Sequence, residues 1–207
     1  MKNLRELFTH ERAARPLLIA HVQSSLGSGA AYVALLLIAY ERFHSALAVS
    51  AILLCEFVPM LLLGAVMGAA ADRWPRRTIL IGADVLRAGA FVGLALVDSF
   101  AATVALAALA GAGQAAFNPT VMASLPTLVS EKRLPAAMGV WGAIQEFGFT
   151  VGPMLAAATF AVIGASGVLL ANGVTFAISA LLLCTLKLAH VADDTPSERK
   201  PSLLASA

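Results

Sequence analysis

The chain has 207 residues, of which 59% are hydrophobic and only 13% are charged. Such a composition argues against an ordinary soluble domain and is typical of a protein with several membrane-spanning segments. The formal net charge of +2 is too small to indicate a nucleic-acid-binding protein. Cys55 and Cys184 lie inside apolar segments, so we interpret them as small buried side chains and predict no disulfide.

Six apolar runs are each long enough to form a helix that crosses a bilayer. They cover residues 17–40, 46–71, 78–97, 101–125, 135–163 and 167–188, and short breaks separate them at 41–44, 72–77, 98–99, 130–133 and 164–166. The predicted fold is an all-α membrane protein with six transmembrane helices. A polar arm (1–16) precedes the bundle (17–188), and a polar segment (189–207) follows as a tail or the start of a linker. The first run has the length of a full span and no small-residue cleavage site, which predicts an uncleaved helix.

The positive charges orient the predicted helices. In a six-helix chain the links lie alternately on the two sides of the membrane. Twelve Lys and Arg residues then lie on the side of the N-terminus, and one, Arg42, lies on the other side. Arg87 lies within the third helix. Cytoplasmic links carry the excess of basic residues in membrane proteins. Both termini are therefore predicted to be cytoplasmic, in a multi-pass membrane protein.

The first helix carries a polar stripe. His21, Ser24, Ser25, Ser28 and Tyr32 fall on one helical face, because they are spaced by three, four, seven and eleven residues from the first. A polar face on a spanning helix is expected to line a water-filled cavity or to pack closely against another helix.

Ionisable residues inside the second and third helices are candidates for function. Glu56 serves coupling or substrate binding, reaches water at the outer side, or caps a packed interface. Asp84 and Arg87, three residues apart, can pair on one face, and an ion pair that fixes helix packing is the favoured interpretation.

Polar residues also interrupt the fourth and fifth helices. Gln114 and Asn118 share a helical face and suit either a substrate cavity or a hydrogen bond between helices. Glu146 could carry a proton, bind a cationic group or neutralise Arg87. No cofactor or metal site is predicted, and the absence of recognisable catalytic motifs argues against an enzyme.

Two motifs resemble those of the major facilitator superfamily. The turn from Gly68 to Arg77 is similar to the family's signature loop between the second and third helices, with Asp72, Arg73, Arg76 and Arg77 at its charged positions and Pro75 in place of a glycine. In the fifth helix, the pattern Gly139, Gly148, Gly152, Pro153, Ala156, Ala157 resembles the motif of the family's antiporters.

The region from Phe117 to Leu134 also resembles the branch that contains multidrug, macrolide and siderophore exporters. Ala107 and Ser28 stand where many relatives have an arginine and an acid, so the resemblance leaves Glu146, Glu56 or Asp84 for proton coupling. The implied function is secondary active transport, with proton-coupled efflux of small hydrophobic or amphipathic compounds. The alternative is a non-transporting membrane subunit or remnant that only packs against partner helices.

The resemblance covers nearly the whole chain but only half of a usual family member. It implies an N-terminal six-helix half built as a 3+3 inverted repeat, with substrate held between two halves. The expected partners are a small-molecule substrate, membrane lipid and a second six-helix half, which is either the missing C-terminal half or another chain. In the family, the acid and arginines of the signature loop close the inner gate.

Overall fold

The computed structural model describes residues 10–186, without the side chain of Asp72. Residues 1–9 of the predicted arm and the predicted tail 189–207 lie outside this range. The described residues form helices and no strand: a short 3-10 helix Arg12–Ala14, then α1 (Arg15–Phe43), α2 (Ala46–Arg73), α3 (Arg76–Leu96), α4 (Phe100–Leu128), a 3-10 helix Glu131–Arg133 and α5 (Leu134–Leu183). All five long helices are apolar enough to cross a membrane.

Local sequence explains where the first helices meet. His44 adopts a left-handed conformation with φ 47° and ends α1. Ser45 follows as the N-cap of α2, and its side chain accepts a hydrogen bond of 3.3 Å from the backbone N–H of Ala48. Pro75 precedes α3, where its fixed φ suits the start of a helix and its missing N–H costs no helical bond.

The fifth long helix requires a correction to the predicted element count. A helix of 50 residues would extend about 75 Å, more than twice the thickness of the hydrocarbon core. Gly164 divides it, because its backbone has φ 64° and ψ 176°, a conformation that essentially only glycine adopts. The expected link at 164–166 is therefore a single-residue turn. We refer to residues 134–163 as arm A and to residues 165–183 as arm B.

Arm A runs parallel to α1. His21 stacks on Trp141, and further along both helices Gly29 packs against Gly152. Contacts that advance in the same direction on two helices show that the helices run in the same direction.

Arm B runs antiparallel to α3. Ser179 contacts Asp84, whereas Gly173, six residues earlier in arm B, packs against Val92, eight residues later in α3. The two arms thus point in opposite directions, and the five long helices make six crossings of the bundle.

The helix pairs follow the predicted 3+3 inverted repeat. The first crossing packs on the fifth, and the second packs on the fourth through Glu56 against Gly111 and Gly68 near Pro119. The third packs on the sixth. A two-fold operation exchanges crossing one with four, two with five, and three with six. It converts the pair of crossings one and five into the pair of crossings four and two, and it leaves the pair of crossings three and six unchanged. The fold is therefore one half of a major-facilitator-type bundle.

Two apolar clusters hold the ends of the bundle. One lies at the end that carries the arginine turn, called here the arginine end, and includes Leu17, Leu80, Leu128, Ala137 and Leu183. The other lies at the far end and includes Ile38, Ile52, Leu94, Ala107 and Leu169. Each cluster contains residues from both arms of α5. This composition agrees with the reversal of the chain at Gly164.

The cysteines differ from the sequence-based interpretation in one respect. Both are free, and Cys55 is half-buried, but Cys184 is exposed just beyond arm B.

Candidate functional site

A cavity of about 640 Å³ lies in the middle of the bundle between the α1–arm A pair and the α2–α4 pair. All five long helices contribute to its wall. The polar lining consists of His21, Ser24, Ser25, Ser28, Tyr32, Glu56, Arg87, Gln114, Asn118, Gln145 and Glu146. The structure thus brings together, from distant parts of the sequence, seven of the eight candidate coupling or substrate residues: Ser24, Ser28, Glu56, Arg87, Gln114, Asn118 and Glu146.

Six of the other lining residues are aromatic, and they were not among the sequence candidates: Phe57, Phe91, Phe117, Trp141, Phe149 and Phe176. Phe117 lies 6.4 Å from the Trp141 ring, and Phe149 meets Tyr32 edge-on at 6.3 Å between ring centres. A signal for part of this wall exists in the sequence, since Trp141, Gln145 and Phe149 are spaced by four residues and share one helical face.

The polar stripe of α1 serves both of the roles that the sequence left open. It lines the cavity, and it also holds arm A. The Nε2–H of His21 donates to the carbonyl of Trp141 at 3.1 Å, the hydroxyl of Ser25 donates to Nδ1 at 3.2 Å, and the imidazole stacks on the indole with 3.5 Å between ring centres. Both ring nitrogens of a neutral imidazole are therefore satisfied.

Arg87 is held inside the bundle by aromatic rings and amides. Its guanidinium carbon lies 4.3 Å from the ring centre of Phe117 and 4.2 Å from that of Phe176, distances that give cation–π stabilisation. It donates to the side-chain carbonyl of Gln114 at 2.6 Å, and Gln114 in turn donates to Asn118 at 2.9 Å. These amides thus position Arg87 as well as line the cavity.

Asp84 is the one coupling candidate that does not line the cavity. It is completely buried behind the wall and accepts hydrogen bonds from Arg87 and from the hydroxyl of Ser179. The ion pair with Arg87 leaves little uncompensated charge at this depth. Arg87 takes Asp84, rather than Glu146, as its ion-pair partner.

The other two acids of the interior face the cavity without such a partner. Within the described part of the chain, the Oε2 atom of Glu56 is buried and makes no hydrogen bond. Glu146 lies on arm A, on the opposite helix pair, and its side chain is exposed.

Glycines let arm A approach α1 closely. A Cβ atom at Gly148 would lie 2.6 Å from the backbone of Ser25, and one at Gly152 would lie 2.6 Å from the backbone of Gly29. Pro153 follows directly and is half-buried. Gly139 differs, because a Cβ there would meet no atom within 4 Å. The close seam therefore involves two of the three glycines of the antiporter-like motif.

The arginine turn binds helix ends. Arg76 donates to the carbonyl of Ala123 in α4 at 2.7 Å, and Arg77 donates to the carbonyl of Cys184. The side chain of Arg73 is exposed. A Cβ at Gly68 would sit at an ordinary 3.9 Å from Pro119. Backbone carbonyls near the ends of α4 and arm B thus hold two arginines of the turn.

Glu11 joins the segment before α1 to the turn before arm A. Its carboxylate accepts from the Ser130 hydroxyl at 2.8 Å and from Arg133 at 2.9 Å. The hydrogen bonds from Ser130 and Arg133 lower the pKa of Glu11 below its usual range. This contact connects two segments at the arginine end of the bundle.

Six crossings in a 3+3 arrangement, with a central cavity, define a multi-pass α-helical membrane protein of the transporter-half type. The family model for the Major Facilitator Superfamily matches residues 17–206, so the chain belongs to this superfamily.

Relatives within the superfamily include named efflux proteins. The chain is 27% identical over 178 residues to the uncharacterized MFS-type transporter YfiS of Bacillus subtilis, with 86% of this chain and 43% of the relative covered. It is 28% identical over 182 residues to the multidrug efflux pump Tap of Mycobacterium tuberculosis, with 83% and 43% covered. It is 25% identical over 162 residues to macrolide efflux protein A of Streptococcus pyogenes, with 76% and 40% covered. The chain thus spans less than half the length of these relatives.

Proposed function

We propose that the chain forms the N-terminal six-helix half of a secondary active exporter for small hydrophobic or amphipathic compounds. The observation that carries the proposal is the central cavity, which combines aromatic walls with convergent polar groups from all five long helices. Apolar walls with a few placed polar groups are typical of small-molecule sites. The names of the efflux relatives support export as the direction.

A second six-helix half completes the transporter in this proposal. Substrate lies at the middle of the bilayer between the halves, and rocking of one half against the other exposes it to alternate sides. In this proposal the second half covers the side of the cavity where the side chain of Glu146 is exposed. The arginine end is cytoplasmic, in agreement with the distribution of Lys and Arg, and the protein resides in the bacterial inner membrane.

Proton coupling, as in an antiporter, is assigned to the acids of the cavity. Asp84 is committed to Arg87 and Ser179, so it is a poor candidate for a proton that must come and go. Glu146 and Glu56 face the cavity without an ion-pair partner in the described residues, and Glu146 is exposed. Glu146 is the proposed main proton carrier.

The signature turn acts as one side of the inner gate. Arg76 and Arg77 fix the turn to α4 and arm B, and the exposed Arg73 is available to meet the second half. Asp72 is the acid of the gate in this proposal. Asp72→Asn is expected to slow export at least several-fold without a change in membrane insertion, because it removes only a charge. Export rates and the amount of protein in the membrane fraction are compared, and an unchanged rate would refute the gating role.

The proposal is tested by efflux from bacterial cells that express the gene encoding this chain and lack their main exporters. A panel of amphipathic dyes and antibiotics, including a macrolide, is loaded, and its loss is followed with and without a protonophore. Faster loss of at least one compound, abolished by the protonophore, is expected. If the protein is inserted normally and no compound leaves faster, the non-transporting alternative is favoured.

A further inference from the structure

The charge of the cavity sets the kind of compound it accepts, and this inference rests on the proposed export function. The acidic and basic side chains that line the cavity in the described part of the chain are His21, Glu56, Arg87 and Glu146. Their pairing determines which charges remain available to a ligand.

The two basic side chains already interact with other residues of the protein. Arg87 pairs with Asp84, which lies behind the wall, and it is covered by the rings of Phe117 and Phe176. The ring nitrogens of His21 are engaged by Trp141 and Ser25 in the pattern that a neutral imidazole satisfies. Nε of Arg87 is buried without a hydrogen bond in the described residues, but Asp84 balances the charge of the guanidinium. Neither group therefore presents an unbalanced positive charge to the cavity.

The two acids have no ion-pair partner in the described residues. Oε2 of Glu56 is buried without a hydrogen bond, and a buried polar atom in that state costs free energy until a partner arrives. Glu146 reaches the cavity from the opposite helix pair. The wall therefore offers two carboxylates and no cation to balance them.

Aromatic rings complete a site for positive charge. Tyr32, Phe57 and Phe149 line the same cavity as the two carboxylates. The faces of such rings attract cations, and they also stack on flat ligands. Carboxylates beside exposed rings recognise a flat apolar molecule that carries a positive charge.

We propose that the cavity binds amphipathic cations, with the positive centre of the ligand held by Glu56 and Glu146 and its apolar body held by the aromatic wall. Neutral compounds of the same shape bind more weakly, and anions more weakly still. The proposal thus narrows the exported compounds to one charge class.

The probes are rhodamine 123, a cation, and fluorescein methyl ester, which has the same fused ring framework but no positive charge. Binding to the purified full chain in detergent is measured by fluorescence polarisation, with empty micelles as the blank. Rhodamine 123 is expected to bind at least about tenfold more tightly, since a charge-assisted contact contributes about a factor of ten or more. Equal binding of the two dyes, or no binding of either, would overturn the proposal.

Substitutions test whether Glu56 and Glu146 cause the preference for the cationic dye. Glu56→Gln and Glu146→Gln are each expected to weaken rhodamine 123 about tenfold and to leave the ester nearly unchanged. Glu41→Gln is the matched control, because Glu41 is exposed near the end of α1 and away from the cavity. Gln145→Lys adds a positive charge to the wall and should also weaken the binding of rhodamine 123. Retained selectivity in the Glu56→Gln, Glu146→Gln double variant would contradict the assignment.

Efflux of both dyes from cells separates this inference from the function on which it rests. If the purified chain selects the cation but cells export neither dye, the export function fails and the cation site stands. If cells export both dyes equally, the charge selectivity fails and export stands. Loss of proton coupling would slow both dyes together, whereas loss of the cation site slows rhodamine 123 alone.

Discussion

Asp84 and Glu56 are both acids inside spanning helices, yet the structure treats them in opposite ways. Asp84 is completely buried and bonded to Arg87 and Ser179, whereas Glu56 faces the cavity with one oxygen unpartnered in the described residues. A charge inside a membrane is costly unless it is paired. The pairing of Asp84 makes it part of the framework, and the lack of pairing leaves Glu56 available to a ligand.

The largest effect is expected from breaking the framework pair. Asp84→Ala leaves Arg87 buried without its counter-charge and should destabilise the protein by about 3–5 kcal/mol. The free energy of unfolding in mixed micelles measures the loss. Glu56→Gln, which breaks no pair, should change stability by less than about 0.5 kcal/mol.

A second substitution checks that the loss comes from the orphaned charge. Asp84→Ala combined with Arg87→Met removes both partners, and it should recover most of the stability because no buried charge remains. Equal destabilisation by Asp84→Ala and Glu56→Gln would erase the distinction between the two acids.

Substitution in the close seam between α1 and arm A, the arm that carries Glu146, should reduce stability nearly as much as the loss of Asp84. Gly148→Ala places a methyl group 2.6 Å from the backbone of Ser25 and should cost about 1–3 kcal/mol through displacement of arm A. Gly139→Ala, on the same arm, meets no atom within 4 Å and should be neutral or slightly stabilising. Thermal unfolding of the two variants gives the comparison, and equal midpoints would refute the close seam.

Glu146→Gln tests whether an unpaired acid of the cavity serves coupling. The amide cannot release a proton, so the pH dependence of export should disappear while the stability stays within about 0.5 kcal/mol of the parent. Initial efflux rates of a neutral amphipathic substrate between pH 5.5 and 8 are the measurement. A pH profile like that of the parent protein would remove Glu146 from the coupling step.

The smallest effect is expected at Glu11, an acid paired outside the spanning segments. Hydrogen bonds from Ser130 and Arg133 lower its pKa, so the carboxylate stabilises the folded state above the usual glutamate range and loses this effect as the pH falls through the lowered value. Glu11→Gln should therefore reduce stability by about 0.2–1 kcal/mol at neutral pH and by nothing at strongly acidic pH. Unfolding at the two pH values checks the sign.

The sequence predicted the fold well because the signals for spanning helices are local. The charged breaks after Tyr40 and Ala71 delimit the first helices closely, and the antiporter-like motif contains the two glycines of the seam, Gly148 and Gly152. The turn at Gly164 was predicted in position but not in form. Three small residues look like a link, and the sequence does not show that one glycine with positive φ suffices.

The site was less predictable because its contacts join residues far apart in the chain. The spacing of Asp84 and Arg87 indicated their pair, but Ser179 lies 95 residues away from Asp84. The stack of His21 on Trp141 joins residues 120 positions apart, and it was missed. Such contacts depend on how helices pack, which periodicity alone does not determine.

The turn at Gly164 has a mechanical consequence for any movement of the bundle. With no loop between the arms, arm A and arm B have no slack at their junction. Arm A packs on α1 and arm B packs on α3, so a displacement at the far end of one crossing pulls on the other. We expect the last two crossings to shift as one hairpin, so that a displacement of the cavity wall at Glu146 reaches the ion pair at Asp84.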